Sequence, residues 1–193
     1  MLTDRQVVDL ILGGDMHAFG SLVEMTEGLV AQIVYKLIPN EEDRKDVAQD
    51  IYLKVYRHLN GFNFQSKLST WVGQIAYNTC LNRLQKKQLT IYIPPERETE
   101  GQEDDPQAYI SRTSDETDRM LLQKELKGLL AAEIGRLPPL YQTLIGLYHQ
   151  EELSYLEIAR ITGLPEGTVK SYLFRARKQL KETILSSYKK EKL

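Results

Sequence analysis

Apolar residues recur at intervals of three and four along most of the chain, and the positions that interrupt them carry helix start and stop signals. Thr3 and Gln6 have capping-box spacing ahead of Val7, Val8, Ile11 and Leu12. Gly13-Gly14 stops that first helix, Asp15 can cap the next, which runs to about Ile38, and Pro39-Asn40 breaks it. A third helix begins near Glu41 or Glu42, and a fourth is expected from about Thr70 to Lys87. Sustained period-two alternation is missing, so the pattern predicts an all-α chain without strands.

The helical period lapses in QEDDPQAYISRTSDET. The reading is two small helical domains, 1–92 and 116–193, joined by a flexible acidic linker over 93–115 that carries a net charge of −5 between Ile93 and Asp115. A length of 193 residues, 41% of them apolar, suits two modest cores and not a large enzyme scaffold.

The sum of charges is close to neutral, 25 Lys and Arg against 27 Asp and Glu, which excludes a globally cationic nucleic-acid binder. The distribution is uneven, however. From Ile51 to Pro95 there is no acid, while Lys54, Arg57, Lys67, Arg83, Lys86 and Lys87 are positive; from Gly167 to Lys181 the same happens with Lys170, Arg175, Arg177, Lys178 and Lys181. Each half thus has one segment on which a polyanion can dock, although either alone also fits a solvated helix face. The single Cys80 forms no intramolecular disulfide, the first residues lack a secretory layout, and no apolar run approaches a membrane span; a cytoplasmic protein without membrane insertion is expected.

On the third helix, Asp43, Asp46 and Asp50 share a face with Leu53, opposite the Val47, Ile51 and Val55 side. The acids near the helix start favour its dipole, but a leucine among them suits a protein-docking surface with an apolar centre and a charged rim. Beyond the Asn60-Gly61 turn, Phe62, Phe64 and Trp71 lie among polar and basic residues, which suits stacking on unpaired bases; Trp71 fits the core better, and Phe64 is the exposed candidate. Gln74, Asn78 and Gln85 form a stripe on the following helix with Arg83, Lys86 and Lys87 near its end, amides for base edges and cations for phosphates.

The most specific local signal begins at Ser154. Ser154 and Glu157 make a capping box, Ile158, Ala159 and Ile161 give a short helix its apolar side, Gly163 supplies a turn and Pro165 opens a second helix: a helix-turn-helix. Val169, Leu173, Ala176 and Leu180 form the buried stripe of that second helix. Its outer face carries Gly167, Thr168, Ser171, Phe174, Arg175 and Lys178, with Lys170 at the margin. Thr168 and the helix N-terminus can meet a phosphate, Arg175 can pair with guanine and Phe174 can press on a thymine methyl.

Three motifs, DRKDVAQDIYLKVYRHL, FNFQSKLSTWVGQIAYNTCLNRLQ and LPPLYQTLIGLYHQEELSYLEIARITGLPEGTVKSYLFRARKQL, in this order and spacing, make the chain resemble an extracytoplasmic-function (ECF) sigma factor of bacterial RNA polymerase, over nearly its whole length. The resemblance implies that Asp43, Asp46, Gln49, Asp50, Tyr52 and Leu53 dock on the clamp coiled coil of the largest polymerase subunit. It implies that Asn63, Phe64 and Gln65 capture a flipped base of the minus-ten element, with the helix of Asn78 and Arg83 lying on that element. Lys170, Ser171, Phe174 and Arg175 match readers of the minus-thirty-five element. Partners implied are the polymerase core through clamp and flap, promoter DNA, and an anti-sigma factor; the acidic linker would thread into the RNA path.

Two alternatives stand beside this reading. A stand-alone transcription regulator can close with the same helix-turn-helix, and needs a ligand pocket or phosphoacceptor in its other domain. A nucleic-acid enzyme such as a recombinase needs a catalytic cluster, and His17, His58, His149 and Cys80 lack metal-ligand spacing. No enzyme activity, metal or cofactor is expected.

Overall fold

The computed structural model describes residues 2–87 and 127–190. Helix α1 spans Asp4–Leu12 behind the Thr3–Gln6 capping box, and Gly14 turns the chain with φ +92° into α2, Met16–Leu37, whose first amides, on His17 and Ala18, donate to Asp15. Asn40 caps α3, Glu41–His58, which ends in a 3-10 turn over Leu59–Gly61. Helix α4, Leu68–Lys86, starts two residues before the expected Thr70. The early start has a long-range cause: Lys67 at the N-cap offers no side-chain acceptor, and the Leu68 amide donates instead to Asp4 Oδ2 at 2.7 Å.

The C-terminal half contains α5 over 127–135, α6 over Pro139–His149, α7 over Tyr155–Thr162 and α8 over Glu166–Lys190. The Ser154–Glu157 capping box forms, and Gly163 closes α7 at φ +72°, where a side chain would be strained. The described residues contain no strand. The acidic linker Ile93–Asp115 lies outside the described residues, and the boundaries drawn at 92 and 116 fall there too.

Val47, Ile51 and Val55 of α3 meet Leu22 and Ile33 of α2 and Val72, Ala76 and Cys80 of α4 in a buried core. Burial pushes the Cys80 thiol up to about 12. Leu140, Leu144 and Leu147 of α6, Ile158 of α7 and the stripe of Val169, Leu173, Ala176 and Leu180 on α8 are likewise buried. Each such Val, Leu or Ile side chain contributes about 1.5–3 kcal/mol by leaving water.

Whereas the sequence suggests two separate cores, the halves pack directly on one another, α2 against α6 and α4 against α7. Glycines make the approach close. A Cβ at Gly73 of α4 would lie 2.9 Å from Ile161 Cδ1 and 3.2 Å from Leu29 Cδ2, and Gln32 of α2 fills the space above Gly146 of α6. Ile161, expected on the internal apolar side of the helix-turn-helix, therefore also faces the other half. Lys67 and Glu157 form an ion pair at 2.8 Å, and Arg160 Nη1 donates to the Gln65 carbonyl at 3.0 Å, fastening the rim of this contact.

Candidate nucleic-acid and partner interfaces

On α3, Asp46, Gln49 and Asp50 are exposed around Leu53, which is 53% exposed. Tyr56, one turn on from Leu53 and 44% exposed, extends the apolar centre, with its ring edge-on to Phe19 at 5.2 Å. As an aromatic three residues from Leu53, it could have been added to this face from helical spacing alone.

Asp43 and Tyr52 are placed differently from these four. Asp43 precedes Val47 by four residues, hence only about 40° around the helix from the buried side. It turns toward α4, accepting from Lys87 Nζ and, at 2.8 Å, from Arg83 Nη2. The hydrogen bonds from Lys87 and then Arg83 hold its carboxyl below the usual range, and the same pairing raises the Arg83 guanidinium. Tyr52 is half-buried against α2: its hydroxyl lies 3.2 Å from the Thr26 hydroxyl and donates to the Val23 carbonyl at 3.4 Å, and burial raises its pKa.

The loop over 62–67 has a buried base and an exposed tip. Phe62 is buried beside Trp71, with centroids 5.3 Å apart, so both are structural as the composition of the segment allows. Phe64 is 37% exposed, rests on Phe62 at 4.7 Å and adopts φ +59°, a left-handed conformation costly for an aromatic residue. The turn is held by the Asn63 Oδ1, which accepts from the Gln65 amide at 3.2 Å, while the Arg5 guanidinium lies 4.6 Å over the Phe64 ring. Asn63 and Gln65 are exposed beside it.

Gln74, Asn78 and Gln85 lie exposed along α4. The local cations are partly engaged inside the protein. Arg83 and Lys87 hold Asp43, Lys54 Nζ donates to Thr79 Oγ1 at 3.1 Å, and Lys67 holds Glu157. Burial raises the Glu157 carboxyl, but the Lys67 contact and hydrogen bonds from Ser154 outweigh it and bring the pKa down to about 2.

Thr168, Lys170, Ser171, Phe174, Arg175 and Lys178 all lie on α8 away from its buried stripe, each at least partly exposed. Ser171 Oγ donates to the Gly167 carbonyl at 2.9 Å, and Lys170 pairs with Glu166 at 3.0 Å while its ammonium lies 5.5 Å over the Tyr155 ring. Tyr172 is buried against Tyr141, centroids 5.6 Å apart, and lies 5.8 Å beneath the Arg175 guanidinium. A ring fixed in the core thus lies beneath the arginine expected to meet a base.

The two halves match different family models: Sigma-70 region 2 over residues 22–90, and Sigma-70, region 4, over residues 127–180. An ECF RNA polymerase sigma factor of Bacillus subtilis, SigW, is 31% identical over 172 residues, spanning 89% of this chain and 91% of the relative. The chain belongs to the ECF sigma factors. The ECF sigma-E factor of Escherichia coli is 33% identical over 181 residues, 93% of each chain. Among solved structures, CnrH in complex with the cytosolic domain of CnrY shares the fold with a TM-score of 0.62 at 21% identity, covering 95% of this chain and 97% of that one. The sigma factor RpoE of Bartonella quintana, in complex with the anti-sigma factor NepR, has a TM-score of 0.57 at 19% identity over 86% and 96% of the two chains.

As an ECF sigma factor the protein directs RNA polymerase to promoters, and α7 and α8 form the helix-turn-helix within its region 4 match. Among the described residues no helix is long and apolar enough to cross a membrane.

Proposed function

We propose that this sigma factor reads promoters bipartitely, with α8 in the major groove of the minus-thirty-five element and the 62–67 loop with α4 on the unpaired minus-ten element, while the α3 face docks on the polymerase clamp. The supporting observation is the separation of three exposed surfaces on one chain. They are Asp46, Gln49, Asp50 and Leu53 on α3; Asn63, Phe64, Gln65 and Asn78 around α4; and Thr168, Lys170, Ser171, Phe174, Arg175 and Lys178 on α8. Their chemistry differs accordingly: an acidic rim around leucine for protein, an aromatic with amides for unstacked bases, and cations with a phenylalanine for duplex DNA. Flipping a base costs a few kcal/mol of unstacking, which polymerase-anchored contacts offset. The domains of this reading are 1–92 for docking and minus-ten recognition and 116–193 for the minus-thirty-five element and the flap.

The packed arrangement and the promoter differ in size. The two elements are about 25 base pairs apart, roughly 85 Å along the axis at ~3.4 Å per step. A compact chain of this length has a radius of gyration of about 16 Å, hence a diameter of about 40 Å. Both surfaces engage their elements together only after α7 leaves α4. The 39 residues between the described halves, with a contour of about 130 Å, permit that separation. The packed form is then the state in which an anti-sigma factor would hold the protein, a partner class supported by the fold shared with sigma factors solved in such complexes.

Run-off transcription with reconstituted bacterial core polymerase tests the reading. Initiation at a cognate promoter, lost on removing either element, is the expected result; initiation independent of both elements contradicts it.

A further inference from the structure

Helix α1 lies before the matched region 2 segment, and neither the docking surface nor the promoter surfaces use it. Two consecutive residues at its start nevertheless contact the tip of the candidate base-capture loop and the first residue of the helix that follows it. Asp4 Oδ2 accepts from the Leu68 amide at 2.7 Å, at the first residue of α4, where the preceding Lys67 supplies no cap. The Arg5 guanidinium lies 4.6 Å over the Phe64 ring, on the aromatic that Phe62 supports at 4.7 Å.

We propose that Asp4 and Arg5 are positioning residues for promoter melting, Asp4 fixing the start of α4 and Arg5 holding Phe64 in the conformation that receives an unstacked base. The inference rests on the reading of Phe64 as the base-capturing residue.

A carboxylate acceptor at a helix start satisfies an orphan amide and complements the positive end of the helix dipole, and here it comes from a residue 64 positions upstream, so it fixes α4 relative to α1 as well as capping it. Phe64 occupies a left-handed backbone conformation at φ +59°, which an aromatic residue adopts only when its surroundings impose it. The Asn63 side chain closes the turn locally, while the ring itself rests on Phe62 on the core side and lies under Arg5 from α1. A guanidinium stacked on an aromatic ring also presents a planar cation beside the ring, close to where the phosphates flanking a captured base would pass.

Preorganising the loop lowers the ordering cost at the moment of base capture, so its loss is expressed where capture must compete with base pairing. The two residues act through the loop, which separates their effect from general stability. A structural defect would depress initiation on every template, whereas a positioning defect is relieved when the base is already unpaired.

The test uses full-length protein assembled with core polymerase, comparing initiation on a duplex promoter with the same promoter premelted across its minus-ten element. Arg5→Ala is expected to lower duplex initiation about 2- to 5-fold, and Asp4→Ala about 5-fold, with less than a twofold change on premelted DNA. Asp4→Asn, which keeps an acceptor oxygen, restores duplex initiation. In a Phe64→Ala background, Arg5→Ala has no additional effect. If Phe64→Ala is selectively defective on duplex while Arg5→Ala and Asp4→Ala match the native protein, the positioning proposal fails and the base-capture reading stands. If Phe64→Ala itself loses equally on both templates, or loses nothing, the base-capture reading fails and takes the proposal with it. Equal losses on both templates for Asp4→Ala and Arg5→Ala mark structural residues and overturn the proposal.

Discussion

Ile161, in the first helix of the helix-turn-helix, lies directly over Gly73, in the helix assigned to the minus-ten element, and leaves no room there for a methyl group: a Cβ at 73 would meet Ile161 Cδ1 at 2.9 Å. This contact joins the two halves of the protein. Its steric tightness gives a way to separate them without touching the residues assigned to DNA or polymerase.

Gly73→Ala should loosen the packing of α7 on α4, and Ile161→Ala in the same chain should restore it by removing the clashing branch. Small-angle scattering of the free protein measures this directly: a larger radius of gyration for the single variant and a near-native one for the pair. Gly73→Ala alone also helps helix propensity by about 1 kcal/mol, so expansion would reflect the clash and not melting of α4.

Acid should weaken the same contact. The Glu157 carboxyl, at about 2 in the folded protein, is depressed below its ordinary value of 4.5, so the stability it contributes is fully present above pH 4.5 and is lost as the pH falls toward 2. Glu157→Gln retains an acceptor for the Ser154 capping box but removes the ion pair with Lys67. Thermal unfolding followed between pH 5 and pH 3 should therefore depend less on pH in this variant than in the native protein. Equal slopes would show that the ion pair is not the titrating contact.

Leu53→Ala and Asp50→Lys should weaken assembly with core polymerase, each by about 1–2 kcal/mol in the manner of interface anchors, with unchanged helicity since both side chains are exposed. Fluorescence anisotropy with core polymerase measures the affinity. Asp43→Lys acts otherwise, because it breaks the pairing with Arg83 and Lys87: its loss of affinity should come with a lower unfolding midpoint.

Arg175→Ala should reduce recognition at minus-thirty-five-dependent promoters by about 1–3 kcal/mol and relax base preference at one position. Polymerase affinity should stay native. Tyr172→Leu should produce part of the same loss with Arg175 intact, since it removes the buried ring that lies 5.8 Å beneath the guanidinium. Competition between promoter variants in run-off transcription distinguishes the two.

What the sequence makes legible is local. The capping boxes at Thr3 and Ser154, the Gly163 stop and the stripe of Val169, Leu173, Ala176 and Leu180 are set by residues three or four apart, and the helices form where these signals place them. The family resemblance is likewise confirmed by the region 2 and region 4 matches. The pairings that shape the candidate surfaces join distant positions: Asp43 with Arg83 and Lys87, Asp4 with Leu68, Arg160 with Gln65, Ile161 with Gly73. No periodicity reports such partners. The start of α4 shows the consequence, since its cap comes from another helix and its true first residue carries no local signal.

The halves that carry the two proposed DNA-reading surfaces are packed together in the free protein and should part when polymerase carries them to a promoter. Energy transfer between dyes on cysteines introduced at the exposed positions Arg57 and Gln179 measures the parting directly, and the native Cys80, buried with its thiol at about 12, stays unlabelled. High transfer is expected for the free protein, and a separation larger by tens of ångströms in the promoter-bound holoenzyme, on the scale of the roughly 85 Å between the elements. Unchanged transfer in a holoenzyme that initiates from the same promoter would contradict it.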